Sequence, residues 1–144
     1  MNTALYVING PSGAGKSHLL QFVESRFEGA KAIPKLTTRP RHPVEVGATW
    51  SDLIHVSEHR FTELNPEFQY SWNGYRYGIC RADLLDQLDG VRIGLVVVRD
   101  TRTIQELARD LRELEVVPVY LIAGASTRRR RLAATGLDLS LIHI

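Results

Sequence analysis

The run Gly10-Pro11-Ser12-Gly13-Ala14-Gly15-Lys16-Ser17 follows directly on the apolar stretch Ala4 to Ile8 and matches the phosphate-binding pattern Gly-x-x-x-x-Gly-Lys-Ser. No other feature constrains the fold as much, because such a loop works only between a buried strand and the start of a helix. The flanks comply. Leu5-Tyr6-Val7-Ile8 reads as a buried parallel strand, and His18 to Phe27, with Leu19, Leu20, Phe22, Val23 and Phe27 apolar, reads as a helix. The glycines let successive backbone N–H groups turn inward onto phosphate oxygens. Lys16 then supplies a point charge to the β- and γ-phosphates, Ser17 offers its hydroxyl to Mg²⁺, and the helix adds its positive end. The implied ligand is a nucleoside triphosphate with magnesium, bound by Gly10, Pro11, Ser12, Gly13, Ala14, Gly15, Lys16 and Ser17. A chance match in a chain of this length is expected roughly once in a few hundred proteins at ordinary residue usage.

Length and charge bound the alternatives. A chain of 144 residues, 44% hydrophobic, holds one domain with a substantial core. A formal net charge of +2 makes no case for nucleic acid as the main partner, although its many arginines suit phosphate substrates. Cys80 is the single cysteine, so the chain can form neither an internal disulfide nor a cysteine-built zinc site, and a reducing, cytoplasmic setting is expected. The N-terminal apolar run is too short for a signal peptide or a membrane span. The last six residues, Leu139 to Ile144, match the translation of a transposon-end sequencing adapter. On that reading the expected domain is 1–138, with its C-terminal end missing; the alternative is a genuine C-terminal strand.

Further along, Val91 to Val98 and Val116 to Ile122 read as buried strands, with Pro118 suiting an edge or a bulge. Helices are expected from about Thr101 to Leu114 and from Ser126 to Ala134. The alternation implies an α/β fold whose parallel sheet is covered by helices on both faces. The interval Leu36 to Gly78 breaks that rhythm with Pro40, Pro43, Pro66 and short aromatic stretches, and short antiparallel strands with turns are expected there.

Three ordered landmarks resemble the guanylate kinase family: the loop at 10–17, Leu36-Thr37-Thr38-Arg39-Pro40-Arg41 with Glu45 after it, and Gly74-Tyr75-Arg76-Tyr77-Gly78. The resemblance runs to about Gly136 and implies a three-layer P-loop kinase fold with a parallel central sheet. It also implies a small inserted acceptor-binding region at about 36–79 and a lid starting at about 128. The implied reaction is phosphoryl transfer from ATP with Mg²⁺ to a small phosphorylated acceptor, foremost GMP. Arg39 and Arg41 would grip the acceptor phosphate through their guanidinium forks, and Tyr77 would donate its hydroxyl to it. Asp100, just past a strand, would hold magnesium through water, bind the acceptor nucleoside, or simply cap the next helix. Arg131, in the run Arg128 to Arg131, would swing onto the phosphates as the lid closes. Lys35, Glu45 and Glu67 complete the acceptor set, with Lys35 donating to a guanine O6 and Glu67 accepting from its N–H edge.

The resemblance is broken where the family reads its base. The family's serine is Lys35 here, its second arginine falls on His42, and its base-reading glutamate falls on Phe68 unless one residue is deleted. Val44 and Thr135 replace a glycine and a lid arginine, and Trp50 is the aromatic nearest to an expected tyrosine. A ribose 1,5-bisphosphate phosphokinase, a relative that needs no guanine reader, is therefore a second reading. A non-catalytic binding module and a bare ATPase or switch are others, the module disfavoured by the intact loop.

Overall fold

The structure is a computed structural model and describes residues 3–11, 13–43, 50–124 and 126. The anticipated helix 126–134, the arginine run 128–131, Gly136 and residues 139–144 lie outside that set apart from Ser126. Ser12, Glu45 and Arg131 lie outside it as well.

The first strand, β1 (Ala4–Asn9), runs into the loop, and α1 (Lys16–Arg26) starts at the motif's own lysine. After β2 (Ala30–Ala32) come β3 (Lys35–Thr37), β4 (Leu53–His55), α2 (Glu58–Leu64), β5 (Phe68–Trp72) and β6 (Tyr75–Ile79). Then follow α3 (Arg81–Gln87), β7 (Ile93–Val97), α4 (Thr101–Asp110) and β8 (Glu115–Tyr120). Among the described residues the central sheet has the order β2-β7-β1-β8 with every pair parallel. Pro118 lies on β8, which pairs there only with β1, so its missing N–H breaks no central ladder.

Alternation along β1 and β7 divides the core between two helical layers. Leu5, Val7, Val96 and Val98 pack with Leu84, Leu88, Ile104, Leu107 and Leu111 of the α3 and α4 region. Ile8, Leu95 and Val97 turn the other way onto Leu20, Leu19 and Val23 of α1. The fold is thus the expected α/β arrangement around a parallel sheet. Helix α4 stops at Asp110, short of Leu114, because Leu111 leaves the helical region (φ −97°, ψ 72°) while its side chain stays in the core.

A second sheet, β4-β3-β6-β5, occupies the interval that breaks the rhythm. Its β3–β6 and β5–β6 pairs are antiparallel as anticipated, but β3 and β4 run parallel, in the register Lys35↔Leu53. Helix α2 is a second departure. Ser57 caps it by accepting from Arg60 N, Phe61 is its buried anchor, and Asn65 ends it in the left-handed region.

Candidate functional site

The loop between β1 and α1 is shaped by its glycines. Gly10, Gly13 and Gly15 have φ of 150°, 80° and 94°, and Gly15 is the left-handed residue from which α1 departs. At Gly10 a side chain would also collide, since a Cβ there would lie 2.6 Å from the Leu121 carbonyl oxygen. That carbonyl is held close because Leu121 N donates to Asn9 O at 2.8 Å, extending β8 past the start of the loop. The Lys16 ammonium donates to Gly10 O at 2.7 Å and Pro11 O at 2.9 Å, so the buried lysine arches across the loop. Ser17 is exposed and donates from Oγ to Asp52 Oδ2 over 3.5 Å.

On the other side of Asp52 lies a cluster built on the second sheet. Thr37 and Thr38 stitch its centre together. Thr37 Oγ1 donates to Arg76 O at 3.0 Å and accepts from Arg39 N at 3.1 Å, while Thr38 Oγ1 accepts from Arg76 N at 2.9 Å. These bonds prolong the β3–β6 pairing, which sets Thr37 opposite Tyr77 and brings Arg39 near enough for its charge to oppose the burial-driven rise of the Tyr77 phenol pKa. The Arg39 carbonyl meets His55 Nδ1 at 2.6 Å, and because a carbonyl only accepts, that nitrogen carries a proton. Tyr77 stacks on Tyr70 with centroids 5.3 Å apart, and Lys35 Nζ sits 5.8 Å over the Tyr77 ring.

Charge in this cluster is held under tension. Burial pushes the Lys35 pKa below its usual value. Asp52, with Oδ2 3.9 Å from Nζ, pulls it back up, and Arg99 and Arg39 add to the lowering. Burial raises the phenol pKa of both Tyr70 and Tyr77. Arg99, immediately past β7, donates its backbone N–H to the Tyr70 hydroxyl at 3.3 Å and lays its guanidinium 4.1 Å from the centre of the Trp72 ring. Lys35 thus stands between the Asp52 carboxylate and the guanidinium groups of Arg39 and Arg99, beside two buried phenols.

No known protein-family model matches the chain. Single relatives do. It is 32% identical over 142 residues to a guanylate kinase of Nitrobacter winogradskyi, covering 93% of this chain and 62% of the relative. A guanylate kinase of Bradyrhizobium diazoefficiens is 28% identical over 141 residues with the same coverages, 93% and 62%. In structure, the fold matches a guanylate kinase from Anaplasma phagocytophilum with a TM-score of 0.66 at 23% identity, over 96% of this chain and 71% of that one. The chain thus resembles guanylate kinases in sequence and in fold. It spans about three fifths of the curated relatives it matches, 62% in both cases.

Within this guanylate kinase-like frame, the acceptor residues nominated from sequence separate. Lys35, Arg39 and Tyr77 converge, whereas Arg41 is exposed on the loop beyond Pro40. Asp100 caps α4, its Oδ2 accepting from Thr103 N at 3.0 Å and Thr103 Oγ1 at 2.7 Å. Glu67 is exposed and accepts from Arg81 N at 3.2 Å, at the start of α3. Phe68, the position where the family pattern wants a carboxylate, is 2% exposed and packs in the main core.

Two residues of the cluster were not nominated from sequence. Arg99 could have been found, because ligands in open α/β sheets gather beyond the carboxyl ends of the strands, and Arg99 lies two residues past the end of β7, just before Asp100 caps α4. Asp52 carries no such signal. It reaches Lys35 only through the parallel β3–β4 pairing, in which Lys35 N donates to Asp52 O at 3.1 Å.

Proposed function

We propose that this chain transfers a phosphoryl group from ATP, with Mg²⁺, to a small phosphorylated acceptor, GMP being the first candidate, in a cytoplasmic setting. The observation that carries the reading is the adjacency of the two half-sites: one carboxylate, Asp52, lies 3.5 Å from Ser17 of the phosphate loop and 3.9 Å from Lys35 of the cationic cluster. The names of the guanylate kinase relatives support GMP as the acceptor. The acceptor would bind in the region 36–79, and a lid from about 128, with Arg131, would close over it. No helix of the described residues is long and apolar enough to cross a membrane.

Phosphoryl transfer asks the protein mainly to position reactants and neutralise charge. Lys16 and the loop amides would hold the donor phosphates, with Ser17 on the metal side. Arg39, Arg41 and the Tyr77 hydroxyl would hold the acceptor phosphate, with Glu45 assisting. A phosphate monoester has a second pKa near ~6 and attacks as a dianion, so no general base is required. Magnesium would neutralise charge on the donor phosphates.

A ribose bisphosphate acceptor is the second reading, favoured by the buried Phe68 and by the engagement of Glu67 with α3, which leave the guanine edge without its usual reader. Coupled ADP release separates the readings. Stimulation by GMP supports the first, stimulation by ribose 1,5-bisphosphate supports the second, and stimulation by neither refutes both. Lys16→Ala should abolish turnover, and undiminished activity would remove the loop from the mechanism.

A further inference from the structure

The carboxylate standing against Ser17 is Asp52, although sequence reasoning gives the metal side to Asp100. Asp52 is half-buried just before β4, its side chain 13% exposed, and two elements fix its place. The β3–β4 pairing holds its backbone against Lys35, and the Lys35 ammonium lies 3.9 Å from Oδ2. The same Oδ2 receives the Ser17 hydroxyl at 3.5 Å. Adjacent oxygens of an octahedral magnesium shell are about 3.0 Å apart, given ~2.1 Å bonds. The Ser17–Asp52 spacing is close to that. Magnesium in nucleotide sites also takes one or two carboxylates together with substrate phosphates and retained waters. The donor set here has that composition: one hydroxyl, one carboxylate, and a loop built for phosphates.

We propose that Asp52 is the carboxylate that holds the magnesium ion of the bound nucleotide, together with Ser17, and that Lys35 is the positioning residue that keeps it aimed there. The proposal rests on the reading of the loop as an ATP site. It makes Asp52 the joint between the two half-sites, since its charge is shared between the metal on the donor side and a lysine on the acceptor side. Asp100, with Oδ2 bonded to Thr103, would then serve the helix rather than the metal.

Binding of a fluorescent ATP analogue, titrated with and without Mg²⁺, tests this without requiring turnover. In the wild type, magnesium should tighten binding; in Asp52→Asn, the magnesium needed for half-maximal effect should rise about 10- to 100-fold, as expected for loss of a metal-site partner. Magnesium-free ATP should bind the variant as well as the wild type or better, because a negative charge near the phosphates has gone. Asp100→Asn should leave the magnesium requirement unchanged. The double variant Asp52→Asn/Lys35→Met removes the ion pair as a unit, guards against misfolding from a stranded lysine, and should show the same magnesium defect. An unaltered magnesium requirement in folded Asp52→Asn or in the double variant overturns the proposal, as does a defect confined to Asp100→Asn. Failure of the wild type to bind ATP at all would instead overturn the ATP-site reading and the proposal with it.

Discussion

Asp100 is where a structural and a functional role compete for one side chain, and its substitution separates them. Asp100→Ala removes the acceptor of two hydrogen bonds, from Thr103 N at 3.0 Å and Thr103 Oγ1 at 2.7 Å. Losing the cap costs about 1 kcal/mol. Thr103 is only 1% exposed, so its stranded hydroxyl adds about 1 kcal/mol or slightly more. Loss of a negative charge at the helix N-terminus adds about 0.5 kcal/mol. The total is about 2–3 kcal/mol, which for a chain near 150 residues lowers Tm by roughly 6–9 °C. Asp100→Asn keeps an oxygen acceptor and gives up only the charge, so it should cost about 0.5 kcal/mol. Urea denaturation and thermal melts of both variants supply the comparison. If alanine and asparagine destabilise equally, or alanine costs under about 0.5 kcal/mol, the capping account is wrong. Turnover of the well-folded asparagine variant then reports whether the carboxylate has any further duty.

Tyr70 and Tyr77 have phenol pKa values raised by burial, so the folded state holds those protons more tightly than the unfolded state does. Their contribution to stability is therefore complete below the unfolded phenol value of about 10 and is lost as pH climbs through the folded values. An ultraviolet titration of the five tyrosines should show two that ionise late or only on alkaline unfolding, and that lag should disappear in Tyr70→Phe/Tyr77→Phe. Gly78→Ala should destabilise the protein by about 1–3 kcal/mol through overpacking. Its Cβ would lie 2.6 Å from Pro66 Cγ and 2.9 Å from Phe61 Cζ, so an unchanged urea midpoint would refute that packing.

The phosphate loop was legible because its chemistry is local: eight consecutive residues carry the glycine geometry, the charge and the hydroxyl. Strand β7 was legible for a related reason, since burial on both faces of a parallel sheet leaves an unbroken apolar run such as Leu95 to Val98. The second sheet was less legible. Strands of three residues such as β3 and β4 show no periodicity, and nothing in Leu53-Ile54-His55 says that it runs parallel to Lys35-Leu36-Thr37. Asp52 was missed for that reason. Helix α2 did carry a signal in Ser57 followed by Phe61 and Leu64, but the surrounding prolines and aromatics outweighed it. Counting from Tyr77-Gly78 put the family's glutamate on Phe68, and the structure buries that phenylalanine in the core.

The second sheet does not stand apart from the first. Phe68 of β5 and Ile79 of β6 belong to the same apolar cluster as Leu5, Val7, Val96 and Val98 of the central sheet. Swinging that sheet away as a rigid flap would expose both side chains, at about 1.5–3 kcal/mol each. So open a state would be populated at the level of a percent or less. Tyr70 and Tyr77, on the same two strands, are therefore part of the stationary frame. The phenol wall is thus an anvil against which other parts of the molecule would close.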